Sequence, residues 1–319
     1  MSGSDHDDAE SMSGDEGKFQ FKTETNELDE LPPEVQRRVK ALKNIMLANV
    51  KHEVEYYKEL HQLDLKYQKL YEENNARRKE ICLGSYEPTA SECEWIDMKD
   101  DVAEKLGKLN LESRKETVGG IPDFWLKVFQ HANEDVLHGT MEQIDEPILK
   151  YLEDVRVSLP ETNDGFTLNF HFADNEFFSN KVLIKEYQLR NDYDKDDPLD
   201  FDGPEVIKSS SFKIDWKPGK NPCVKIIKKK TKSKGKGKGG PKFVTKEEKR
   251  DSFFHFFNPP ANEDDEDADL LHEDYDIGIN IKEKLIPKAV LYFTGEAETV
   301  DYDEFEDEDD EDFLDSEDD

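Results

Sequence analysis

Apolar residues recur along the first quarter of the chain at the spacing of a long helix. Between Val35 and Leu70 they return in ten steps over 35 residues, and this mean spacing of 3.5 is the coiled-coil period. The stretch "ELPPEV" favours a helix start, because proline is tolerated in the first helical turn. No proline or glycine follows Pro33 until Gly84, so the pattern predicts one long helix within residues 28–84.

A helix of this length extends beyond any single core. At about 1.5 Å per residue it would measure roughly 70 Å, whereas a compact domain of about 100 residues has a radius of gyration of about 13 Å. We therefore expect a second copy of the chain to pack along the apolar stripe and form a homodimer. The alternative is an amphipathic helix that lies across its own domain. The predicted dimer contacts are Val35, Val39, Leu42, Met46, Val50, Val54, Tyr57 and Leu60.

The pattern changes after Gly84. Residues 85–120 predict an accessory loop and a short charged helix that end in a Gly-Gly hinge, and residues 121–297 predict the main domain. In that domain, "IPDFWLKVFQHANEDV" and "DEPILKYLEDVRVSL" have apolar residues at helical spacing and predict two short core helices. Near its end, "DSFFHFFNPP" and "DADLLHEDYDIGINIKEKLIP" predict further helix, and "KAVLYFTGEA" predicts an apolar segment that closes the fold.

Between these helices, three runs of alternating apolar and polar residues predict strands. They are "DGFTLNFHF", "VLIKEYQL" and "FKIDW", and short turns between them indicate an antiparallel sheet. The apolar residues of the first run share one face, so only that face should be covered. The predicted fold class is therefore α+β, with a long dimerisation helix followed by an antiparallel sheet domain covered by helices on one side.

Composition shows that the folded part is smaller than the chain. Only 34% of the 319 residues are hydrophobic and 38% are charged. Residues 1–27 and 298–319 are polar and acidic, and we expect both to be disordered. The three cysteines form no CxxC pair, and neither an apolar leader nor an apolar run of about 18 residues occurs. We expect ordinary thiols, no membrane association and a location in the nucleus and cytoplasm.

The charge balance indicates which partners suit this protein. The formal net charge is -33, and residues 301–319 hold only fourteen of the acids, so the body is acidic as well as the tail. Such a surface attracts basic proteins over long range and repels nucleic acid, so we expect no direct high-affinity DNA binding. In the tail, Tyr302 and Phe305 lie among the acids. Aromatic anchors favour docking onto a basic partner over simple solubilisation.

One basic segment interrupts this acidity. "KKKTKSKGKGK" holds seven lysines and no acid, and a β-branched run on each side predicts a protruding hairpin at about residues 221–246. A nuclear import receptor is the favoured partner of its lysines. The phosphates of DNA or RNA, the acids of another copy and a merely soluble tip are the alternatives. The predicted import residues are Lys228, Lys229, Lys230, Lys232, Lys234, Lys236 and Lys238.

Signatures of catalysis are nearly absent from the sequence. It contains no GxSxG, Walker-type or HExxH motif, and its eight histidines are scattered singly. Gly235, Gly237 and Gly240 match the spacing of the dinucleotide fingerprint, but the strand, helix and acidic residue that the fingerprint needs are missing. We therefore expect no enzyme activity, no cofactor and no metal site.

Eight blocks of the chain resemble the nucleosome assembly protein family, in order, from about Leu28 to Ala297. They are "LPPEVQRRVKALKNI", "GIPDFWLKVF", "DEPILKYLEDVRV", "LNFHFADNEFFSN", "DDPLDFDGPEV", "IDWKPGKNP", "DSFFHFFNPP" and "IPKAVLYFTGEA". The resemblance implies a homodimer joined through the long helix, and a histone chaperone that shuttles between cytoplasm and nucleus. Such a chaperone would bind the dimer of the two H2-type core histones, and also H3-H4, on an acidic face. It would prevent non-productive contacts between histones and DNA.

The resemblance also points to acids near the sheet as the histone-binding residues. Asp145 and Glu146 could belong with them or could cap a helix instead. Two other functions stay open, an acidic adaptor for cell-cycle or transport factors and a phosphatase inhibitor of the related SET-like branch. The expected histone-binding residues are Asp174, Glu176, Asp200, Asp202, Glu205, Glu273, Asp274 and Asp276, with Tyr302 and Phe305 in the tail.

Overall fold

The computed structural model describes residues 27–94, 119–162, 164–231, 242–260 and 265–297. Helix α1 (Glu27–Glu30) leads into α2 (Pro33–Leu83), an uninterrupted helix of 51 residues. Proline fits the first turn of α2, and Gly84 ends it in the left-handed region (φ 72°), where its N–H donates to the carbonyl oxygen of Ile81. The predicted long helix is confirmed.

A four-stranded antiparallel sheet forms the centre of the domain that follows. Its strands are β1 (Leu152–Ser158), β2 (Gly165–Phe172), β3 (Val182–Arg190) and β4 (Glu205–Ser211), paired in that order. Phe166, Leu168, Phe170 and Phe172 are all buried on one face of β2, while the residues between them are half-buried. The alternation predicted for this strand is confirmed.

Helices cover the face of the sheet to which these residues point. They are α3 (Phe124–His131), α4 (Glu146–Leu149), a 3-10 helix (Phe253–Phe257), α5 (Asp265–Asn280), which continues as a π-helical turn (Ile281–Leu285), and α6 (Ala289–Thr294). Phe170 packs against Phe129 of α3 and against the rings of Phe253 and Phe257. These aromatic contacts place the core between the sheet and its single helical layer.

One helix prediction and one strand prediction were wrong. "DEPILKYLEDVRVSL" was expected to be helical throughout, but only its first part is α4, and Leu152 begins β1. The pairing of Val155 with Phe170 and of Val157 with Leu168 prevails over the helical spacing of Ile148, Leu149 and Leu152. "FKIDW" forms no regular strand; it contributes an isolated bridge between Trp216 and Phe178. The fourth strand is instead "EVIKSSS", which contains too few apolar residues for the alternation to be recognised.

A separate two-stranded ribbon carries the basic segment. It consists of β5 (Val224–Thr231) and β6 (Lys242–Lys249), which pair antiparallel from Val224 with Lys249 to Thr231 with Lys242. The predicted hairpin is confirmed for these strands, and its tip lies outside the described residues. At its base, Arg250 donates from Nε to the carbonyl oxygen of Pro222 and from its backbone N–H to the carbonyl oxygen of Cys223. These bonds attach the ribbon to the domain.

Candidate functional site

Helix α2 has two apolar faces rather than the one predicted stripe. Val50 and Val54 are buried within their own chain, and the ring of Tyr57 contacts Phe201. Leu42 and Met46, in contrast, are at least half exposed. The predicted stripe therefore divides between two neighbouring faces. Val50, Val54 and Tyr57 lie on the face that packs on the domain, and Leu42 and Met46 lie on the other. The exposed apolar face of α2 includes Leu42, Ile45, Met46, Tyr56, Leu63, Tyr67, Leu70 and Tyr71.

A charged network, which the sequence analysis missed, attaches the C-terminal half of α2 to the domain. Arg78 donates to the carbonyl oxygen of Ile286 (2.7 Å) and to that of Val155 (3.3 Å), and its guanidinium lies 5.0 Å from the ring centroid of Trp125. It also approaches the fully buried carboxylate of Asp154 at 3.5 Å. Burial lowers the pKa of Arg78. No local pattern in the sequence distinguishes this arginine from its neighbours.

Asp154 is held mainly by a second arginine. Arg156 donates from Nε to Asp154 (2.6 Å) and from Nη1 to Glu72 of α2. Two further bonds join α2 to the domain. Gln68 donates to the carbonyl oxygen of Val157, and Nε2 of His61 lies 2.9 Å from the carbonyl oxygen of Pro160. The long helix and the sheet therefore form one unit.

Three of the predicted histone-binding acids form ion pairs at the protein surface. Asp174 binds Lys181, Glu176 binds Lys220, and Glu205 binds Arg190. Hydrogen bonds from the two lysines lower the pKa of Asp174 and of Glu176. Each of the three acids therefore has a cation of its own chain beside it, which balances part of its charge.

Asp200 and Asp202 are exposed on the loop that enters β4. Phe201 between them points to α2, where its ring lies 6.2 Å from that of Tyr57. Gly203 follows with φ of 137°, and a side chain there would come within 2.9 Å of the Tyr57 hydroxyl. The loop is thus fixed on α2 by its aromatic residue while both carboxylates face solvent. Within the described ranges no cation pairs with either of them.

Helix α5 separates its acids between two faces. Glu273 and Asp276 are exposed, and no ion pair involves them among the residues that the structure describes. Asp274 differs from the expectation of a surface acid, because its side chain is 12% exposed and accepts a hydrogen bond from the buried Lys185 (2.7 Å). Tyr187 also donates to the backbone oxygen of Asp274 (2.7 Å). Asp274 is therefore part of the packing of α5 on the sheet.

Asp145 is a second predicted acid with an internal role. It is fully buried, and its carboxylate accepts from the Ser252 hydroxyl (2.6 Å), the Phe253 N–H (2.7 Å) and the Glu142 N–H (3.0 Å). Burial raises its pKa, and the three donors oppose that rise. It makes no side-chain capping bond to α4, which it precedes, and instead caps the 3-10 helix at Phe253. Glu146 bonds Gln130 of α3.

Several predicted residues cannot be placed by the structure. Lys228, Lys229 and Lys230 lie in β5, but the structure describes only their backbone. Lys232, Lys234, Lys236 and Lys238 lie outside the described residues, as do Tyr302 and Phe305 of the tail. Their roles stay predictions.

The described residues include no group of three or more His, Cys, Asp or Glu side chains that could hold a metal ion. Burial raises the pKa of the Cys82 thiol to about 11 and raises that of Cys223, which suits inert thiols rather than nucleophiles. Within the same ranges, no helix is both long enough and apolar enough to cross a membrane.

Comparison with known proteins identifies the family. The family model "Nucleosome assembly protein (NAP)" matches residues 37–296. The chain is 43% identical over 300 residues to nucleosome assembly protein 1-like 1 of Xenopus tropicalis, and 42% identical over 298 residues to the protein of that name from Homo sapiens. These alignments cover 90% and 89% of this chain and 75% of each relative.

A solved structure, nucleosome assembly protein 1 from Plasmodium knowlesi, is 29% identical to this chain. The match covers 83% of this chain and 98% of that one, with a TM-score of 0.51. The family match spans both the long helix and the sheet domain. The chain therefore belongs to the nucleosome assembly protein family.

Proposed function

We propose that this protein is a histone chaperone that binds the dimer of the two H2-type core histones, and also H3-H4, through an acidic surface beside β4. This surface consists of Asp200, Asp202, Glu273 and Asp276. One contrast carries the proposal. These four exposed acids have no cation partner in the described ranges, whereas Asp174, Glu176 and Glu205 are each paired with a lysine or an arginine.

The two halves of the surface flank the same strand. Asp200 and Asp202 lie on the loop that leads into β4, and α5 packs against β4. Carboxylates without an internal partner give a stronger negative potential than paired ones, and potential governs the rate and specificity of association with a basic protein. By carrying dense negative charge, this surface would compete with DNA phosphates for histones and prevent non-productive histone–DNA contacts.

Two variants with equal charge changes test this assignment. The first replaces the four unpaired acids (Asp200→Asn, Asp202→Asn, Glu273→Gln, Asp276→Asn), and the second replaces four that contact a cation (Asp174→Asn, Glu176→Gln, Asp194→Asn, Glu205→Gln). We expect the first variant to bind H2-type dimers at least tenfold more weakly than the second. Equal losses would mean that only total charge matters, and tight binding by both would mean that the histone binds elsewhere on the protein. Weak binding by the unaltered protein would leave the adaptor function as the better account.

We infer further that the protein is a homodimer joined along the exposed apolar face of α2. Leu63, Tyr67 and Tyr71 of this face also line a groove of about 680 Å³ that continues onto Leu159 and Ile286 of the domain. A contiguous apolar surface of this kind on a charged helix is typical of a protein–protein contact. The second copy is the occupant that matches its length, because an equally long α2 provides the same stripe in antiparallel orientation.

Substitutions on the two faces of α2 test the dimer. Leu63→Asp with Leu70→Asp is expected to halve the mass in solution and leave the fold intact, because both side chains are about half exposed. Val54→Ala, on the face buried within its own chain, is the matched control and should lower stability without changing the mass. A dimeric Leu63→Asp, Leu70→Asp variant would contradict this interface.

We also propose that the basic ribbon of β5 and β6 directs nuclear import, so that the chaperone shuttles between cytoplasm and nucleus. The ribbon pairs only with itself within the described residues, and "KKKTKSKGKGK" occupies its tip and the end of β5. Alanine at all seven lysines should reduce nuclear entry and leave histone affinity unchanged. Alanine at Lys213, Lys217 and Lys220, which precede the ribbon, is the control. Unchanged nuclear entry after the first substitution would refute the import role.

A further inference from the structure

The Lys185–Asp274 pair joins a charged residue on the sheet's covered face to an acid of α5. Lys185 lies in β3 between Leu183 and Tyr187, and its side chain is fully buried. Its ammonium group donates to Asp274 (2.7 Å) and to the carbonyl oxygen of Phe256 (2.8 Å). The rings of Phe256 and Tyr187 lie 4.7 Å and 5.4 Å from it. The contact therefore joins three elements, β3, the 3-10 helix and α5.

The sequence of α5 does little to hold the helix in one position on the sheet, because its acids repel one another. "DEDADLLHEDYDIGIN" contains seven acids and no lysine or arginine. Like charges four residues apart destabilise a helix by about 0.2–0.5 kcal/mol per pair. Leu271 and Gly278 are the buried residues on either side of Asp274, and a side chain at Gly278 would come within 2.4 Å of the Tyr187 ring. The apolar contacts of α5 near its acids also include the Tyr275 ring, which lies 5.5 Å from the ring of Tyr187 and 6.1 Å from that of Phe166.

A buried ion pair contributes little net stability but can set one register among several. Apolar burial is non-directional, whereas hydrogen bonds fix direction. Two of them, each 2.7 Å long, hold α5 at this point: Lys185 donates to the Asp274 side chain and Tyr187 donates to the Asp274 backbone oxygen. Glu273 precedes Asp274 directly and Asp276 follows two residues later, so the direction of their carboxylates is determined by where Asp274 is held.

We propose that Lys185 and Asp274 are positioning residues, which orient α5 so that Glu273 and Asp276 are presented to the histone. This inference rests on the proposed histone-binding function. It assigns Asp274 a role that differs from direct contact with the histone. It also explains why a lysine occupies an inward position of a central strand, where an apolar residue would be expected.

The test replaces the pair by apolar residues of similar size, Lys185→Met with Asp274→Leu. Net charge is unchanged, because one cation and one anion are lost together, so any change in affinity reports position rather than charge. Replacing a buried pair in this way is often neutral or stabilising. The matched control is the exposed pair, Lys181→Gln with Asp174→Asn, which also leaves the net charge unchanged.

We expect the Lys185→Met, Asp274→Leu variant to bind H2-type dimers about tenfold more weakly than wild type, with a Tm at or above that of wild type and faster amide exchange in α5. The exposed-pair control should bind as wild type does. Adding Glu273→Gln and Asp276→Asn should lower affinity much less in the apolar-pair variant than in wild type. Unchanged affinity in a folded apolar-pair variant would overturn the positioning role, whereas weak binding by wild type itself would overturn the proposed function instead.

Discussion

Replacing Arg78 by methionine tests how α2 is attached to the domain. The change keeps a long apolar stem but removes the guanidinium and, with it, the donors to Ile286 (2.7 Å) and Val155 (3.3 Å). A hydrogen bond that involves a charged group contributes about 1.5–3 kcal/mol. Because the Val155 bond is long, only the Ile286 bond should contribute its full value.

Breaking a buried ion pair costs about 3–5 kcal/mol when one charge is left alone. Asp154 keeps its shorter bond to Arg156 (2.6 Å), so this larger cost should not apply in full. Together these contributions predict that Arg78→Met lowers the free energy of unfolding by about 2–4 kcal/mol.

The neighbouring arginine provides a matched control. Arg77 pairs with Glu80 at 3.0 Å, and both side chains are about half exposed, so its ion pair should contribute only about 0–1 kcal/mol. The assay is equilibrium denaturation by urea at one fixed protein concentration, because dimerisation makes apparent stability concentration-dependent. If Arg78→Met and Arg77→Met shift the midpoint equally, the guanidinium of Arg78 does not fasten α2 and the reasoning fails.

Two other predictions concern single acids. Asp145→Ala should lower the free energy of unfolding by about 2–4 kcal/mol, because it leaves the buried Phe253 N–H and Ser252 hydroxyl without an acceptor. Asp251→Ala, nearby on the surface, is the control and should change the free energy of unfolding by less than about 0.5 kcal/mol. Equal midpoints of the two variants in denaturation would contradict this. The backbone N–H of Thr89, its hydroxyl and Tyr86 donate to Glu92 and lower its pKa to about 2 from the usual 4.5. Because the pKa of Glu92 is lowered, the turn at residues 89–92 is stabilised above pH 4.5 and loses this stabilisation as the pH falls toward 2. NMR titration of the Glu92 carboxyl should therefore give a midpoint near 2. A midpoint near 4.5 would refute the capping contacts.

The fold could be predicted wherever one local pattern dominated. The proline start, the glycine stop and the apolar repeat specify α2, and the four apolar residues of β2 specify its buried face. Strand β4 could not be found in this way, because its position depends on pairing with β3 and only two of its residues are strongly apolar. The register of α2 against its own domain likewise depends on the distant Phe201, which the local period does not contain.

The candidate site was predictable in composition but not in pairing. The sequence predicts that acids form the site, and that assignment stays a prediction. The pairing of three of these acids with Lys181, Lys220 and Arg190 could not be predicted, because it depends on contacts between residues up to 44 positions apart. The alternation of β3 does carry one signal of this kind: Lys185 occupies an inward position, and a buried lysine requires an acid. Its partner, Asp274, is 89 residues away, and no sequence pattern joins the two.

The measurement that tests the central claim most directly is the affinity of the purified protein for the dimer of H2-type histones at several salt concentrations, with and without residues 298–319. Binding through the acidic surface beside β4 predicts tight association that weakens as salt rises and that largely survives removal of the tail. Weak binding by both proteins, or tight binding that depends entirely on the tail, would contradict it.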